Sequence, residues 1–321
     1  MSLRTVGPEE EQPHPPGEAL GWSEAYSFFV TLPEERLALL TRMGVRPNEG
    51  IMDVGLDVFV ADGGLLSARH VRPQSENTPD LEVEGVRFEL VEPLDRWRLS
   101  YDGPAHSLRS SREADSHDAW HKSRLERLSV ELSFAAECPA VAPGGTEGRF
   151  GQAGRFSGEI WISGDRYPVD AAGLREKSWG SEGSILPQLR RRFWCRFDDG
   201  SALVVDRRVE EGREIHLGWM LQEGVLSPLV EVKLCTETEE DALWQRSAEL
   251  LITDQEGRRE EISVGVEQIA PLPTVRGAVR LVVCSSVARF SWGSRSGLGV
   301  VEYLHRLGED GQPELPIEQW G

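Results

Sequence analysis

The chain of 321 residues lacks both a long hydrophobic run and an excess of basic residues. No stretch approaches the ~20 consecutive apolar residues that cross a bilayer, so membrane insertion is not expected. The chain carries 35 Lys and Arg against 54 Asp and Glu, a formal net charge of −19. Because nucleic acids and anionic membrane surfaces bind clustered basic residues, this charge argues against both as partners.

Cysteine is scarce, and the four cysteines form no CxxC pair. This spacing favours reduced core thiols in a cytoplasmic protein over disulfides or a metal site. The N-terminus has no secretory apolar segment. Residues 1–18 are acidic and rich in proline, which predicts a disordered tail. The cysteines are Cys138, Cys195, Cys235 and Cys284.

The common catalytic motifs are also missing. The sequence has no GxGxxG that opens a helix, no Walker loop, no GxSxG and no HExxH, so nucleotide, serine-hydrolase and zinc-protease chemistry are not indicated. His117 and His121 have a spacing of four residues, but they lie in a polar stretch and make only a weak metal site.

Alternation of apolar and polar residues dominates the chain. It is clear in residues 51–60 (IMDVGLDVFV), 86–90, 97–101 and 128–134, and it indicates half-buried β-strands. Six turn dipeptides that pair glycine with Asp or Glu separate strand-like segments, as in hairpins. The sequence therefore predicts an all-β, antiparallel protein without the helical crossovers of an α/β fold.

Three segments interrupt this pattern. Residues 33–43 (PEERLALLTRM) favour a short helix, although an irregular strand fits them too. Residues 103–124 are polar and predict a surface loop or a linker. The run APGGTEG at 142–148 is the predicted domain boundary, which gives an N-terminal β domain over 19–143 and a C-terminal one over 144–321.

The densest unusual segment is 173–183, GLREKSWGSEG. Arg175, Glu176 and Lys177 place a carboxylate between two cations, two residues before Trp179. In a cavity, burial and neighbouring charges could adjust the pKa of that carboxylate for acid–base work. The alternative is a structural corner, in which Trp179 packs in the core and Arg175 pairs with Glu176.

Later strands add aromatic and charged candidates. Alternation places Trp194 and Arg196 on one face of their strand, and Trp219 on the apolar face of the next, with His216 opposite. Glu302 lies in an otherwise apolar strand, where it faces either water or a cavity that would raise its pKa.

The hairpin at 156–169 followed by GLREKSWG resembles the G-x-R-D-H-S-W-G signature of the hydroxyneurosporene synthase (carotenoid hydratase) and AttH-like superfamily. The similarity extends over roughly residues 20–305 and is nearest to a bacterial branch of that superfamily. Glu176 stands where the signature has Asp, and Lys177 where it has His. Gln152 is retained from the polar residues that precede the hairpin in such proteins.

The resemblance implies two lipocalin-like β-barrels side by side, no cofactor, and a hydrophobic small-molecule substrate in an apolar cavity at the barrel junction. It predicts a cofactor-independent cyclase that closes a ring in a polyene, terpenoid or polyketide. The alternatives are a non-catalytic carrier or sensor of an apolar metabolite, and a carotenoid-type alkene hydratase, which the missing His disfavours. The predicted catalytic residues are Glu176, Arg175, Lys177 and Glu302. The predicted substrate-binding residues are Trp179, Trp194, Arg196, Gln152, Trp22, Glu24, Tyr26, Trp97 and Trp219.

Overall fold

In the computed structural model, the alternating segments form long antiparallel strands. Met52, Val54 and Leu56 are buried, whereas Asp53 and Gly55 between them are partly exposed, as the two-residue period of a strand requires. Antiparallel pairing throughout the described sheets confirms the predicted all-β class. The structure describes five stretches of chain: residues 3–74, 80–142, 148–180, 186–239 and 243–318.

Over these stretches the strands are numbered in chain order. They are β1 (Arg4–Thr5), β2 (Ser23–Leu32), β3 (Leu37–Arg46), β4 (Ile51–Phe59), β5 (Leu65–Pro73), β6 (Leu81–Val83), β7 (Val86–Glu92), β8 (Arg96–Leu108), β9 (Arg124–Ala136), β10 (Val141–Ala142), β11 (Arg149–Ile162), β12 (Asp165–Gly180), β13 (Leu189–Arg196), β14 (Ala202–Glu210), β15 (Arg213–Gln222), β16 (Val225–Thr238), β17 (Gln245–Asp254), β18 (Arg259–Arg276), β19 (Val279–Trp292) and β20 (Arg295–Leu307).

The first twelve strands make one sheet, and eight of them close into a ring. The pairing runs β2–β3–β4–β5–β8–β9–β11–β12 and returns to β2. The narrowest join is between β5 and β8, from Leu65 opposite Leu108 to Ser67 opposite His106. Large aromatic residues fill the interior of this first barrel: Phe28, Phe88, Trp97, Phe134 and Phe156.

Strands β13 to β20 form a second, closed barrel in simple sequential order. Phe193, Phe290 and Tyr303 pack edge-on to one another in its core. Cys195 and Cys284 are buried in the same core as free thiols. Two barrels side by side therefore confirm the predicted architecture.

The strand pairing puts the change of barrel later than the predicted boundary at residues 143 and 144. Strands β11 and β12 pair with β9 and β2, so residues 149–180 belong to the first barrel. The chain enters the second barrel between Gly180 and Leu189. The Gly- and Pro-rich run at 142–148 instead connects β10 and β11, which pair with each other; residues 143–147 lie outside the described chain.

The described part of the predicted disordered tail is ordered against the first barrel. Pro8–Glu11 form a 3-10 helix, and the Glu11 side chain is fully buried against Arg175. A similar contact closes the second barrel, where Glu318 lies 3.1 Å from Arg191 and 2.7 Å from Arg207. Composition suggested a loose tail, but buried polar contacts hold it in place, among them the Glu11–Arg175 ion pair and the hydrogen bonds from Lys177 to the carbonyls of Glu10 and Gln12.

Two local predictions need correction. Residues 33–43 do not form a helix but a turn followed by β3, because Leu37, Leu39 and Met43 alternate inward. Residues 103–124 are not a loop throughout: β8 runs on to Leu108, a 3-10 helix spans Ser111–Asp115, and α1 spans His117–Lys122.

Helix α1 brings His117 and His121 together, with their Nε2 atoms 3.2 Å apart on an exposed surface. Among the described residues, no group of three or more His, Cys, Asp or Glu is placed to hold a metal ion.

The third 3-10 helix spans Pro47–Glu49. No helix in the described chain is long and apolar enough to cross a membrane.

The two barrels pack through apolar side chains on their outer faces. Phe29, Leu174 and Ala153 of the first barrel meet Val204, Trp219 and Val300 of the second. Trp219 fits over Gly151, where an added Cβ would lie 3.2 Å from the indole Nε1. This contact fixes the relative position of the barrels and so shapes the cleft beside it.

Candidate functional site

Strand β12 sends its charged residues to opposite sides of the barrel wall. Arg175 and Lys177 point into the first barrel, where they bind Glu11 and Glu24. Glu176 points outward and binds Arg192 of the second barrel. The three predicted catalytic neighbours therefore do not form one cluster, because successive side chains of a strand face opposite ways.

Arg175 occupies a fully hydrogen-bonded corner. Its Nη1 and Nη2 donate to the two carboxylate oxygens of Glu11 at 2.9 and 2.7 Å, and its Nε donates to Oε1 of Gln152 at 2.8 Å. The amide of Gln152 donates in turn to the carbonyls of Leu94 and Cys138. Arg175 is therefore bound as in a structural corner, but its carboxylate partner is Glu11 and not the Glu176 of the structural-corner interpretation.

Lys177 is buried and bound in a second corner. Its Nζ lies 2.8 and 2.7 Å from the carbonyls of Glu10 and Gln12, and 2.9 Å from Oε1 of Glu24. Burial lowers the pKa of Lys177, and Glu24 opposes that shift. His14 also binds Glu24, and its ring stacks on Trp179 at 3.9 Å.

Three of the predicted aromatic binding residues lie away from the barrel junction. Tyr26 and Trp97 belong to the interior of the first barrel, and Trp22 is buried against Gly17 near the N-terminal segment. Trp219 packs in the interface rather than in an open cavity. Arg196 binds Glu137 at 2.9 Å, outside the cleft.

A cleft of about 500 Å³ lies between the two barrels. One wall comes from β2 to β5, β11 and β12, and the other from β13, β14 and β18 to β20. Of the predicted site residues, Glu176, Trp179, Trp194 and Glu302 line it together, and Arg175 lines it too, although its guanidinium is bound to Glu11. A space of this size suits a small-molecule ligand.

A network of charges spans the barrel boundary along this cleft. Arg192 binds Glu176 of the first barrel, and its Nη1 lies 3.5 Å from Oε1 of Glu302. Arg149 lies 3.7 Å from the same oxygen of Glu176 and also binds Asp206. Arg192 thus joins two residues that the sequence singled out separately.

The arginines keep Glu176 ionised. Burial by itself would raise the pKa of Glu176, but the guanidiniums of Arg192, Arg149 and Arg190 outweigh burial and hold the pKa below its usual range. The pKa of Asp206 is lowered still further, against burial, by Arg190 and Arg149. Glu176 and Asp206 are therefore carboxylates, not protonated acids, at neutral pH.

Arg192 has an aromatic neighbour and a free donor. Its guanidinium carbon lies 3.9 Å from the ring centre of Trp194, a cation–π contact. Its Nε is buried without a hydrogen-bond partner among the described residues. Arg192 and Trp194 both line the cleft, which suits a ligand that carries a polar oxygen next to a planar group.

Sequence reasoning missed Arg149, Arg190, Arg192 and Asp206. A signal was present: alternation puts Arg190 and Arg192 on the same face of β13 as Trp194, which had been singled out. No comparable signal links Arg149 to Asp206, because their contact crosses between barrels. Residues 181–183 of the unusual segment lie outside the described chain.

A family model matches residues 7–307, and its description is a domain of unknown function, DUF7064. The chain belongs to the DUF7064 family. A search of the curated proteins finds no match.

Solved structures share this fold. A protein assigned as AttH from Nitrosomonas europaea has a TM-score of 0.63 and 13% identity, over 88% of this chain and 91% of that one. CghA crystallised with Sch210972 has a TM-score of 0.59 and 11% identity, over 94% and 97% of the two chains. Kievitone hydratase from Nectria haematococca has a TM-score of 0.59 and 12% identity, over 93% and 92%.

Identities this low establish the fold alone. They show that this DUF7064 protein shares the fold of these structures. Its membership of the AttH-like superfamily, and of one bacterial branch of it, stays a prediction.

Proposed function

We propose that this DUF7064 protein is a cofactor-independent cyclase that closes a ring in a hydrophobic polyene, terpenoid or polyketide. The reaction takes place in the cleft between the barrels, beside Glu176, Arg192 and Trp194. A cleft that holds a flexible chain in one reactive conformer can lower a barrier by about 7–11 kcal/mol through orientation alone. Two proteins of this fold support a small-molecule role: one is a hydratase, and the other was crystallised with Sch210972.

The contact of Glu176 with Arg192 and Arg149 is the observation that carries the choice of cyclisation over hydration. Hydration of an alkene begins with proton transfer from an acid. Arg192 and Arg149 hold the pKa of Glu176 below its usual range, although burial opposes them, so Glu176 is a poor proton donor near pH 7. Ring closure by cycloaddition needs no proton donor, because carbon–carbon bonds form while π bonds shift within one molecule.

Arg192 is the residue proposed to act on the substrate. Its guanidinium, which lines the cleft, donates a hydrogen bond to a substrate carbonyl and draws electron density from the adjacent alkene. Glu176 and Glu302 hold the guanidinium in place through Nη2 and Nη1. The indole of Trp194 supplies a flat surface for the conjugated chain.

The test uses the purified full chain and an organic extract of host cells that lack its gene. Wild type is compared with Arg192→Gln, Glu176→Gln and the control Glu237→Gln, which removes an exposed ion pair with Arg246 on the second barrel. We expect wild type and the control to convert one compound to an isomer of the same mass and fewer conjugated double bonds. Both cleft variants lower that rate by about 10²-fold or more.

Two outcomes would overturn the proposal. A product heavier by one water would show a hydratase, and equal rates in all four proteins would place the chemistry elsewhere. A compound that binds in the cleft and is never converted would identify a carrier.

A further inference from the structure

The cleft carries an excess of positive charge inside an acidic protein. Leaving out Arg175, whose guanidinium faces the first barrel, eight arginines and five carboxylates line it. The whole chain has a formal charge of −19. The lining arginines are Arg42, Arg46, Arg69, Arg149, Arg190, Arg192, Arg208 and Arg276.

Around Glu176 the charges balance. Glu176, Asp206 and Glu302 are bound by Arg149, Arg190 and Arg192, as described above. A further pair, Arg208 and Glu210, adds one charge of each sign, with Nε 3.0 Å from Oε1. This part of the cleft therefore has no net charge to offer a ligand.

The excess lies on β3 and at the end of β18. Arg42 and Arg46 share Asp53, at 3.5 and 3.1 Å, and Arg46 also reaches Glu49 at 3.2 Å. Arg276, on the opposite wall, has neither a hydrogen bond nor an ion pair with any described residue, but the charges of Asp53 and Glu49 act on it. Three guanidiniums therefore converge on a single lining carboxylate.

The three guanidiniums of this group repel one another. Burial lowers the pKa of Arg276, and the nearby charges of Arg42 and Arg46 lower it further, while Asp53 and Glu49 only partly offset them. An anion placed among the three guanidiniums relieves that repulsion and forms charge-assisted hydrogen bonds.

Apolar rows lie beside the line of residues that joins this group to the Glu176 network. Leu174, Phe29 and Leu40 lie side by side across β12, β2 and β3. On the facing wall, Leu304, Val283 and Leu272 lie side by side across β20, β19 and β18. All six line the cleft.

The strand register gives the separation. Glu176 stands opposite Ser27, and Ser27 opposite Arg42. Glu176 and Arg42 are therefore two strand spacings apart, a distance of about 10 Å.

We propose that the ligand of this cleft is an amphipathic anion whose carboxylate or phosphate binds Arg42, Arg46 and Arg276 and whose apolar part lies between the two apolar rows. The proposal refines the substrate class of the cyclase proposed above and rests on the same cleft. It places the reacting part of the substrate about 10 Å from its anionic group.

The test measures binding of four simple probes by isothermal titration calorimetry at low and high salt. Dodecanoate, dodecyl phosphate and the neutral dodecanol share one chain and differ in the head group, and acetate tests the head group alone. We expect dodecanoate to bind at least about tenfold more tightly than dodecanol, with the difference shrinking at high salt. Tighter binding of dodecyl phosphate than of dodecanoate assigns the site to a phosphate, and the reverse order assigns it to a carboxylate.

Variants show whether the arginine group causes the preference. Arg276→Gln removes the difference between dodecanoate and dodecanol, Arg276→Lys restores part of it, and the exposed control Arg213→Gln leaves it unchanged. Equal affinity for dodecanoate and dodecanol in the wild type, or binding of neither, would overturn the proposal. So would an Arg276→Gln protein that folds normally and keeps the full preference.

The binding test is independent of the cyclase test. Glu176→Gln is expected to bind dodecanoate as wild type does, even though it is expected to lose turnover. Failure of the cyclase proposal with an intact anion preference would leave an anion-binding carrier.

Discussion

Arg192 of the second barrel binds Glu176 of the first, and this pair lies in the wall of the cleft that the two barrels share. The side chains of both residues are at most 10% exposed. Arg149, also from the first barrel, approaches the same carboxylate and in turn binds Asp206 of the second. The contact between barrels and the candidate site are thus built from the same residues.

Removing one partner of the Arg192–Glu176 pair should destabilise the protein. Arg192→Met leaves the buried Glu176 with less compensating charge, and loss of one partner of a buried pair costs about 3–5 kcal/mol. Since Arg149 still approaches Glu176, we expect the lower part of that range. Urea unfolding of Arg192→Met and of the double variant with Glu176→Gln measures it. The double variant should regain much of the loss, and a single variant as stable as wild type would contradict the account.

The lowered pKa of Glu176 gives a pH dependence with a definite sign. A carboxyl whose pKa is lower in the folded protein stabilises that state above its ordinary value of 4.5, and this contribution is lost as pH falls through the folded pKa. The unfolding free energy of wild type should therefore fall more than that of Glu176→Gln between pH 6 and pH 3. This range extends about one to two units to either side of the ordinary pKa. Parallel curves of unfolding free energy against pH would show that Glu176 is not ionised by its neighbours.

His305 predicts a second effect, in the second barrel. Burial, together with the nearby Arg191, lowers the pKa of His305 to about 3, from 6.5. The unfolded chain binds this proton first, so stability is lost as pH falls below 6.5 toward the folded pKa. Between pH 6.5 and pH 5, the unfolding free energy of His305→Leu should fall by about 2 kcal/mol less than that of wild type. Equal slopes for the two proteins over that range would mean that His305 titrates freely in the folded barrel.

The N-terminal segment should be required for stability, although its composition suggested a disordered tail. Glu11→Gln leaves Arg175 buried with a weaker partner, which we expect to cost about 3 kcal/mol. The control Glu18→Gln changes the same residue type at an exposed position in that segment and should have no measurable effect. Thermal unfolding compares the two, and equal melting temperatures for Glu11→Gln and wild type would support the loose tail instead.

Strand alternation made the fold largely predictable, because each half-buried strand shows its two faces in the sequence. Residues 51–60 display this directly. The same rule could have separated Glu176 from Arg175 and Lys177, yet the three were predicted to act together as adjacent charges. Alternation assigns faces, but it does not say which face meets the second barrel.

Contacts between distant parts of the chain account for what the sequence did not predict. Glu11 and Arg175 are 164 positions apart, and the local sequence around either residue does not indicate its partner. Arg276 and Arg42 come from different barrels, so their meeting depends on how the barrels pack around Trp219 and Gly151. Side-chain fit of this kind follows from tertiary packing and not from local periodicity.

One measurement tests the central claim most directly: native mass spectrometry of the protein purified from its own host, followed by organic extraction before and after incubation. The account predicts a bound compound with an anionic group that is converted on incubation to an isomer of the same mass with fewer conjugated double bonds. The same compound recovered unchanged after prolonged incubation would contradict catalysis and leave a carrier of an apolar metabolite.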